Sequence, residues 1–315
     1  MQSLPESSVT KAPVGAFSMA MVAGETSGDL LAGLLMQGIK VQWPHANLYG
    51  IGGPRMQSHG FNALWPSDKL AVRGYVEVLR HYREIVGIRN QLKTQLLAKP
   101  PHVFVGVDAP DFNLDLERDL KNAGIPTVHF VCPSIWAWRA DRIEKIKQSV
   151  DHVLCIFPFE VDLLHAHGID ATYVGHPLAQ VIPMHPDTLK ARHDLNLDPD
   201  RPVVALLPGS RESEITYLAE RFFQTANLLF QQQPNLQFVL PAMPAMKGRI
   251  ENIRNQVGAS HVQILSGQSH AALAACDVTL IASGTATLEA ALFKKPMVIA
   301  YNMNWLSWQL MKRKK

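Results

Sequence analysis

Short apolar runs alternate with longer amphipathic segments from Phe17 onward, and this alternation limits the possible folds more than any other feature of the chain. It is typical of βα units that build parallel sheets. In the first half we predict strands near 17–23, 48–51, 103–107, 127–131, 152–157 and 172–174, and helices near 28–40, 75–98, 113–123, 139–149 and 160–167. A second series of strands is predicted near 203–207, 237–241, 262–265, 278–281 and 296–300. We therefore expect two doubly wound α/β domains with a central cleft between them.

The segment 175–202 is rich in Pro, Asp and His and separates the two series of strands. Such a composition favours an inter-domain connection over a regular element. We place a first domain at 17–180, a linker at 181–202 and a second domain at 203–315. The polar residues 1–16 are expected to be disordered or loosely attached.

Composition limits the class of partner. A chain of 315 residues with 47% hydrophobic and 18% charged residues is typical of a globular protein, and its net charge of +3 does not favour nucleic acid. The three cysteines lie far apart without the spacing of a zinc site, which fits a reducing cytoplasm. The N-terminus lacks the pattern of a secretory signal, and no apolar stretch reaches the ~18 residues of a membrane-spanning helix. We expect a cytoplasmic protein that meets a membrane only at its surface.

Two strands of the second domain end in a tight glycine-containing turn that opens directly into a helix. The turns lie in LLPGSRESEI at 206–215 and in ASGTATLEAAL at 282–292. Unpaired N–H groups and the helix dipole attract phosphate at such a helix start. Arg211 can donate two hydrogen bonds to phosphate, and Glu289, about one turn beyond Thr285, can accept hydrogen bonds from sugar hydroxyls. These features predict a nucleoside-diphosphate site that needs no metal.

The first predicted strand ends in GETSGD at 24–29, whose glycine spacing is not that of a dinucleotide-binding fingerprint. One interpretation is a tight turn in which Ser27 or Asp29 caps the following helix. The other interpretation is a polar floor for an anionic or sugar ligand. The residues of that floor would be Gly24, Glu25, Ser27 and Gly28.

Asp108 directly follows the strand at 103–107, at a position where no helix end needs its carboxylate. Its side chain should face the cleft, which makes it a candidate general base for a hydroxyl nucleophile. Asp111 and Asn113 follow closely. They are interpreted either as turn and cap residues or as further polar groups of the cleft.

Two tryptophans, Trp136 and Trp138, follow the strand at 127–131, and they either pack under the cleft or line it. Ser134 and the neighbouring cysteine have no adjacent histidine in this motif, which argues against a covalent nucleophile. His176 follows the last strand of the first domain and is either a structural residue or a cleft residue.

The segment 61–97 is interpreted as a surface and not as a loop. Apolar residues recur at close to helical period from Tyr75 to Leu96, and basic residues outnumber acidic ones among them. Such a helix either packs on the sheet or touches an anionic membrane. The predicted membrane contacts are Val72, Tyr75, Val78, Leu79, Arg80, Tyr82 and Arg83.

A set of motifs runs in order through almost the whole chain: VAGETSGD, GIGGPRM, VGVDAPDFNL, PSIWAWR, FPFE, VGHPLA, LLPGSRESEI and SGTATLEAAL. With these motifs the chain resembles the lipid-A-disaccharide synthase family of Gram-negative bacteria, which has the B-type glycosyltransferase fold of two Rossmann-like domains. The resemblance implies transfer of 2,3-diacylglucosamine from its UDP donor to 2,3-diacylglucosamine 1-phosphate. It further implies inversion at the anomeric carbon, release of UDP, and no metal or other cofactor.

The resemblance also implies roles for individual residues. Asp108 matches the family's essential aspartate, as the base or as the group that orients the acceptor. Arg211 matches its essential arginine, which would balance the charge on the leaving UDP, and Glu289 would hold the ribose. The remaining residues of the UDP site would be Gly209, Ser210, Ser283, Gly284 and Thr285.

The resemblance implies a place on the inner face of the inner membrane, and it leaves a homodimer open. Family members continue for some tens of residues beyond Lys315, so the second domain is expected to be incomplete at its C-terminal end. Two other classes of function remain open. One is a UDP-sugar epimerase, which has the same architecture, and the other is a non-catalytic binder of lipid or nucleotide.

Overall fold

The structure, a computed structural model, describes residues 17–24, 26–70, 75–136 and 142–302. Only the backbone is described at 26, 68 and 75–81. The predicted N-terminal arm, 1–16, lies outside the described residues. The chain divides into two compact units, Met1–Pro177 and Leu178–Lys315.

The described strands of the first unit are β1 (Ser18–Ala23), β2 (Asn47–Gly52), β3 (Asn62–Pro66), β4 (Val103–Val107), β5 (Thr127–Phe130), β6 (His152–Cys155) and β7 (Ala171–Tyr173). They pair in parallel in the order β3-β2-β1-β4-β5-β6-β7. The helices between them are α1 (Thr26–Gln42), α2 (Pro54–Ser58), α3 (Tyr75–Ala98), α4 (Pro110–Asn122), α5 (Ile143–Ser149) and α6 (Pro158–His165). The chain begins in the middle of the sheet and winds outward in both directions, as the alternating pattern predicted.

Both faces of this sheet are buried. Successive side chains of a strand point to opposite faces. Met21 and Ala23 of β1 pack in one core with Met36 of α1. Val22, between them, packs in a second core with Leu92 of α3. This two-sided burial explains why the strands are nearly continuous apolar runs in the sequence.

The second half of α3 is a core helix. Leu92 is fully buried in the core that includes β1. Arg89 and Lys93 form ion pairs with Asp115 and Asp119 of α4, at 2.9 and 3.0 Å. Of the two interpretations of this segment, packing on the sheet is therefore confirmed for the second half of the helix.

The predicted membrane contacts concentrate at the start of α3. Val72 lies outside the described residues, as do the side chains of Tyr75, Val78, Leu79 and Arg80. Tyr82 is 57% exposed and Arg83 is exposed. Contact with a membrane stays a prediction. None of the helices in the described ranges has the length and apolar character that crossing a bilayer requires.

The edge strand β3 was not predicted, because its residues were assigned to the membrane-facing segment 61–97. It pairs with β2 across a register shift between Gly50 and Ile51. Its five side chains are exposed or half-buried in alternation, so the strand lacks the apolar run that marks the central strands. The chain at Asn62–Pro66 therefore extends the sheet.

The second unit has its own parallel sheet of β8 (Val203–Leu207), β9 (Gln237–Ala242), β10 (Val262–Ser266), β11 (Val278–Ala282) and β12 (Met297–Ala300). Their order is β10-β9-β8-β11-β12, and each coincides with a predicted strand. The helices are α7 (Leu178–Val181), α8 (Thr188–Asp194), α9 (Glu212–Gln232), α10 (Lys247–Val257), α11 (Ser269–Ala275) and α12 (Ala286–Leu292). Phe222 and Phe223 of α9 anchor the core of this unit.

The predicted linker, 181–202, differs from what the structure contains. It lies within the second unit, because the division falls between Pro177 and Leu178. Arg192 of α8 is only 7% exposed and donates hydrogen bonds to the carbonyl of Ala275 at 3.0 Å and to Asp277 Oδ2 at 2.7 Å. These long-range contacts fold the segment into the second unit, and its Pro-rich composition does not reveal them.

Asp115 provides a test of the ion pairs between α3, α4 and α5. It lies 2.9 Å from Arg89 Nη1 and 2.8 Å from Lys145 Nζ. Burial alone would raise the pKa of Asp115, but Lys145, Arg89 and Arg118 outweigh burial and lower the pKa below its usual value. We expect Asp115→Asn to lower the free energy of unfolding at pH 7 by about 1 kcal/mol. The lowered pKa means that this stabilisation is present above pH ~4 and is lost as the pH falls through the folded-state value.

Urea unfolding at pH 7 and at pH 3 measures the difference between the two proteins. The difference should shrink in acid. The matched control is Asp162→Asn, which changes an exposed aspartate on α6. A difference of the same size at both pH values would contradict the assignment.

Candidate functional site

The turn between β8 and α9 encloses a carboxylate of its own helix. Gly209 has a φ of 118°, and a Cβ added there would lie 2.3 Å from Glu214 Oε2. Only glycine combines that backbone conformation with so close an approach. Gly209 therefore lets the turn wrap around the Glu214 side chain.

Glu214 accepts hydrogen bonds from the groups that we predicted to bind phosphate. Its Oε2 accepts from the backbone N–H of Ser210 at 2.9 Å and of Arg211 at 3.2 Å, and its Oε1 accepts from Arg211 Nη1 at 2.6 Å. A carboxylate in the first turn also complements the helix dipole. In this structure the donors of the turn thus bind a carboxylate of the protein itself, and phosphate binding there stays a prediction. The signal for Glu214 in the sequence was its place three residues after Arg211, at the start of the helix.

The second turn is open. Ser283, Gly284 and Thr285 follow β11 and are exposed, and a Cβ added at Gly284 would meet no atom within 4 Å. The backbone N–H of Ser283 donates to the carbonyl of Ala300 at 2.8 Å, so it belongs to the sheet. Gly284 is therefore not required by local packing.

The two turns lie at the same edge of one sheet. β8 and β11 are neighbouring parallel strands, with Ile281 opposite Leu207. Parallel strands end at a common edge and are spaced by ~4.8 Å. The Arg211 turn and the Ser283 turn therefore leave the same edge of this sheet from neighbouring strands.

Glu289 has a partner that the sequence did not reveal. Its Oε2 lies 3.2 Å from Nε2 of His270 on α11. The His270 ring also packs edge-on against Phe293, with centroids 5.4 Å apart. His270 follows a third turn of the same strand–glycine–helix kind, in which Gly267 has a φ of 67°. That repeated pattern was the available signal.

In the first unit, Asp108 lies at the end of β4 in a strained backbone conformation. Its φ is 53° and that of Ala109 is 44°, in the left-handed region that side chains disfavour. The Asp108 N–H donates to the carbonyl of Phe130 at 2.9 Å, and Asn113 Nδ2 donates to the carbonyl of Asp108 at 2.7 Å. The position predicted for a base is thus held by β5 on one side and by α4 on the other.

Asn113 was predicted as a cap or a cleft residue, and the structure places it inside the unit. It is fully buried and also lies 3.4 Å from the carbonyl of Val22. Glu117, one turn further along α4, contacts His129 Nδ1 of β5 at 2.8 Å, and both side chains are fully buried. Burial lowers the pKa of His129, but the charge and hydrogen bond of Glu117 and the charge of Asp108 outweigh burial and raise the pKa above its usual value.

The turn after β1 contributes mostly backbone. Glu25 lies outside the described residues. Gly24 and Gly28 are buried, and a Cβ added at Gly24 would lie 3.1 Å from Ala109 Cβ. Ser27 is half-buried. A side chain at position 24 would crowd the Asp108 loop, and this close approach explains Gly24 without a polar floor for a ligand.

Asp29, which was interpreted as a possible cap of its own helix, caps the next one. Its carboxylate accepts hydrogen bonds from the backbone N–H groups of Gly53 at 2.9 Å, Arg55 at 2.9 Å and Met56 at 3.0 Å. These groups lie at the start of α2. The side chain is 2% exposed, so its role is structural.

The remaining predicted cleft residues are spread over the unit. Asp111 is exposed and pairs with Arg142. Trp136 is 50% exposed, and its Nε1 donates to Glu160 Oε1 at 3.4 Å. Burial raises the pKa of Glu160. His176 is half-buried.

The architecture matches that of solved nucleotide-sugar enzymes. The UDP-GlcNAc 2-epimerase from Neisseria meningitidis bound to UDP-GlcNAc has a TM-score of 0.65 at 12% identity, over 94% of this chain and 85% of that chain. The glycotransferase of kitacinnamycin has a TM-score of 0.58 at 16% identity, over 92% and 81%. At such identities the likeness concerns the fold alone. The fold is the two-domain, Rossmann-like α/β fold of B-type glycosyltransferases and epimerases.

The family follows from the sequence comparisons. The family model described as lipid-A-disaccharide synthetase matches residues 19–314. The lipid-A-disaccharide synthase of Albidiferax ferrireducens is 65% identical over 298 residues, which cover 94% of this chain and 77% of that protein. The one of Verminephrobacter eiseniae is 60% identical over 297 residues, covering 94% and 76%. The chain belongs to the lipid-A-disaccharide synthetase family.

The two turn glycines of the second unit give a matched pair of variants. We expect Gly209→Ala to lower the free energy of unfolding by about 1–3 kcal/mol, because it adds strain at positive φ and displaces Glu214. Gly284→Ala should leave stability nearly unchanged, because its Cβ has open space. Thermal and urea unfolding of both variants measure the contrast, and equal losses would show that the Glu214 contact does not matter.

Proposed function

We propose that the protein joins UDP-2,3-diacylglucosamine to 2,3-diacylglucosamine 1-phosphate, which gives lipid A disaccharide 1-phosphate and UDP. One observation carries the proposal. In a chain of this family, Asp108 and Arg211 each lie where a central parallel strand ends, which is where such sheets bind ligands.

The second unit would hold the leaving group. In the structure, the N–H groups of Ser210 and Arg211 donate to Glu214; in the reaction, they donate to the diphosphate instead. The Arg211 side chain balances the charge that develops on UDP. The exposed turn at 283–285 contributes to the same sheet edge. Glu289, held by His270, accepts hydrogen bonds from the ribose hydroxyls.

The first unit would supply the base. Asp108 takes the proton from the 6-hydroxyl of the acceptor as that oxygen attacks the anomeric carbon of the donor. The bond between that carbon and the UDP oxygen breaks, and its electron pair leaves with UDP. One displacement inverts the configuration and needs no covalent intermediate. The positive charge comes from Arg211, so the proposal includes no metal or other cofactor.

The substrates place the reaction at a lipid surface. Both carry acyl chains, so the proposal includes contact with the anionic inner face of the inner membrane. The exposed Tyr82 and Arg83 of α3 support that contact, because an aromatic ring and a cation suit the headgroup region.

For the catalytic roles, we expect Asp108→Asn and Arg211→Ala each to lower kcat by about 100-fold or more, because each removes a group that acts in the transition state. The matched controls Glu144→Gln and Arg221→Ala change exposed residues on α5 and α9 and should keep normal turnover. The measurement is formation of disaccharide and UDP from both acylated substrates in detergent.

The products also separate the other classes of function. Conversion of the UDP-sugar without an acceptor would replace the proposal by an epimerase activity. Binding of both substrates without turnover would leave a non-catalytic binder. Near-normal kcat in either catalytic variant would show that the role assigned to that residue is wrong.

For the membrane contact, we expect Arg83→Glu to reduce sedimentation with anionic vesicles several-fold, because basic residues near the surface contribute to binding. Arg221→Glu makes the same charge change on an exposed face of the second unit and serves as the control. If both variants lowered sedimentation equally, overall charge would explain the binding to vesicles, and the contact through α3 would be wrong.

A further inference from the structure

Three side chains next to the Asp108 loop are polar, fully buried and unused by the proposed chemistry. They are Asn113 and Glu117 of α4 and His129 of β5. Of the four buried side-chain polar atoms that lack a hydrogen-bond partner in the described ranges, three belong to this group: Asn113 Oδ1, Glu117 Oε2 and His129 Nε2.

Stability does not explain this group. Removing polar atoms from water without full hydrogen bonding is unfavourable. A buried ion pair is often no more stabilising than apolar residues of the same volume. The neighbouring core cluster is apolar and includes Val22, Phe104 and Leu116. A polar group in this place therefore needs another reason.

The backbone of β4 is shaped to admit the group. Gly106 lies in the middle of the strand, between Val22 of β1 and His129 of β5. A Cβ added at Gly106 would lie 2.2 Å from Glu117 Oε1 and 3.0 Å from Asn113 Cβ. The absence of a side chain at this position lets both side chains of α4 reach the strand.

The group is linked to Asp108 by one hydrogen bond and by charge. Asn113 Nδ2 donates to the Asp108 carbonyl at 2.7 Å, and the residue that it holds has the strained φ of 53°. His129 lies 2.8 Å from Glu117, and the Glu117 carboxylate and, to a lesser extent, the Asp108 charge raise the pKa of His129. On the two neighbouring strands, the residues opposite His129 are Gly106 and Val153, and neither brings a charge to it.

We propose that Asn113, Glu117 and His129 form a positioning network that holds Asp108 in its left-handed conformation at the end of β4. The inference rests on the proposed function, because it concerns the residue assigned there as the base. Asn113 fixes the backbone of Asp108. The Glu117–His129 pair fixes the part of α4 that carries Asn113 against the strand.

The test combines a local and a catalytic measurement on Asn113→Ala. The Asp108 N–H donates to the Phe130 carbonyl, and the Asn113 hydrogen bond to the Asp108 carbonyl keeps that loop closed. Without it we expect the loop to open more often and the Asp108 amide to exchange its hydrogen about tenfold faster, while amides of β8 stay unchanged. We expect kcat to fall by at least a similar factor, and the Kd for UDP to change less than twofold. Should Asn113→Ala not fold, Asn113→Asp keeps the volume and removes the donor.

A double-mutant cycle with Asp108→Asn separates the two proposals. If Asn113 acts through Asp108, Asn113→Ala should barely change the residual turnover of Asp108→Asn. Equal effects in both backgrounds, or an unchanged exchange rate at Asp108, would overturn the positioning network. Normal turnover of Asp108→Asn with faster exchange in Asn113→Ala would instead overturn the role of Asp108 in the proposed function and leave the network in place.

Gly106→Ala offers an independent variant that removes no polar group. Its methyl group would push Glu117 and Asn113 away from the strand, so it should reproduce the faster exchange at Asp108. Gly38→Ala, on an exposed part of α1 with no atom within 4 Å of the added Cβ, is the matched control. The same exchange rate in both glycine variants would contradict the network.

Discussion

Parallel pairing of strands whose two faces are both covered by helices is the constraint on which the rest of this structure depends. The central strands β1, β4 and β8 are almost wholly buried. A covered parallel sheet leaves polar side chains one favourable place, the edge where the strands end and the chain turns into a helix. Asp108 and Arg211 both follow such an end, although they belong to different units.

A second regularity follows from that edge. Each turn leaves backbone groups to satisfy, and a side chain from the start of the following helix reaches back to them. Asn113 reaches back to the carbonyl of Asp108 after β4, and Glu214 reaches back to the N–H groups of Ser210 and Arg211 after β8. The two turns thus use the same solution with opposite polarity: a side-chain donor satisfies a carbonyl after β4, and a side-chain acceptor satisfies N–H groups after β8.

The sequence predicted what depends on local pattern. Long apolar runs mark the buried strands, so both sheets were predicted apart from β3, whose edge position removes that signal. A strand end without a following helix cap singled out Asp108, and a glycine turn singled out Arg211, while their catalytic roles stay predictions. The sequence did not show that Asn113 is fully buried, and it did not reveal His270, because burial and pairing with a distant residue depend on packing between elements.

The Glu214 carboxylate has a consequence for the release of product. Glu214 belongs to α9 and accepts hydrogen bonds from the N–H groups at the start of that same helix. Because the carboxylate is tethered there, its local concentration does not fall on dilution. In the proposed reaction, a departing diphosphate would be replaced by this resident anion, so the donors of the turn would stay hydrogen-bonded. In kinetic terms, Glu214 would act as a built-in weak competitor of the nucleotide in the proposed reaction, and it would limit inhibition by the UDP that each turnover leaves behind.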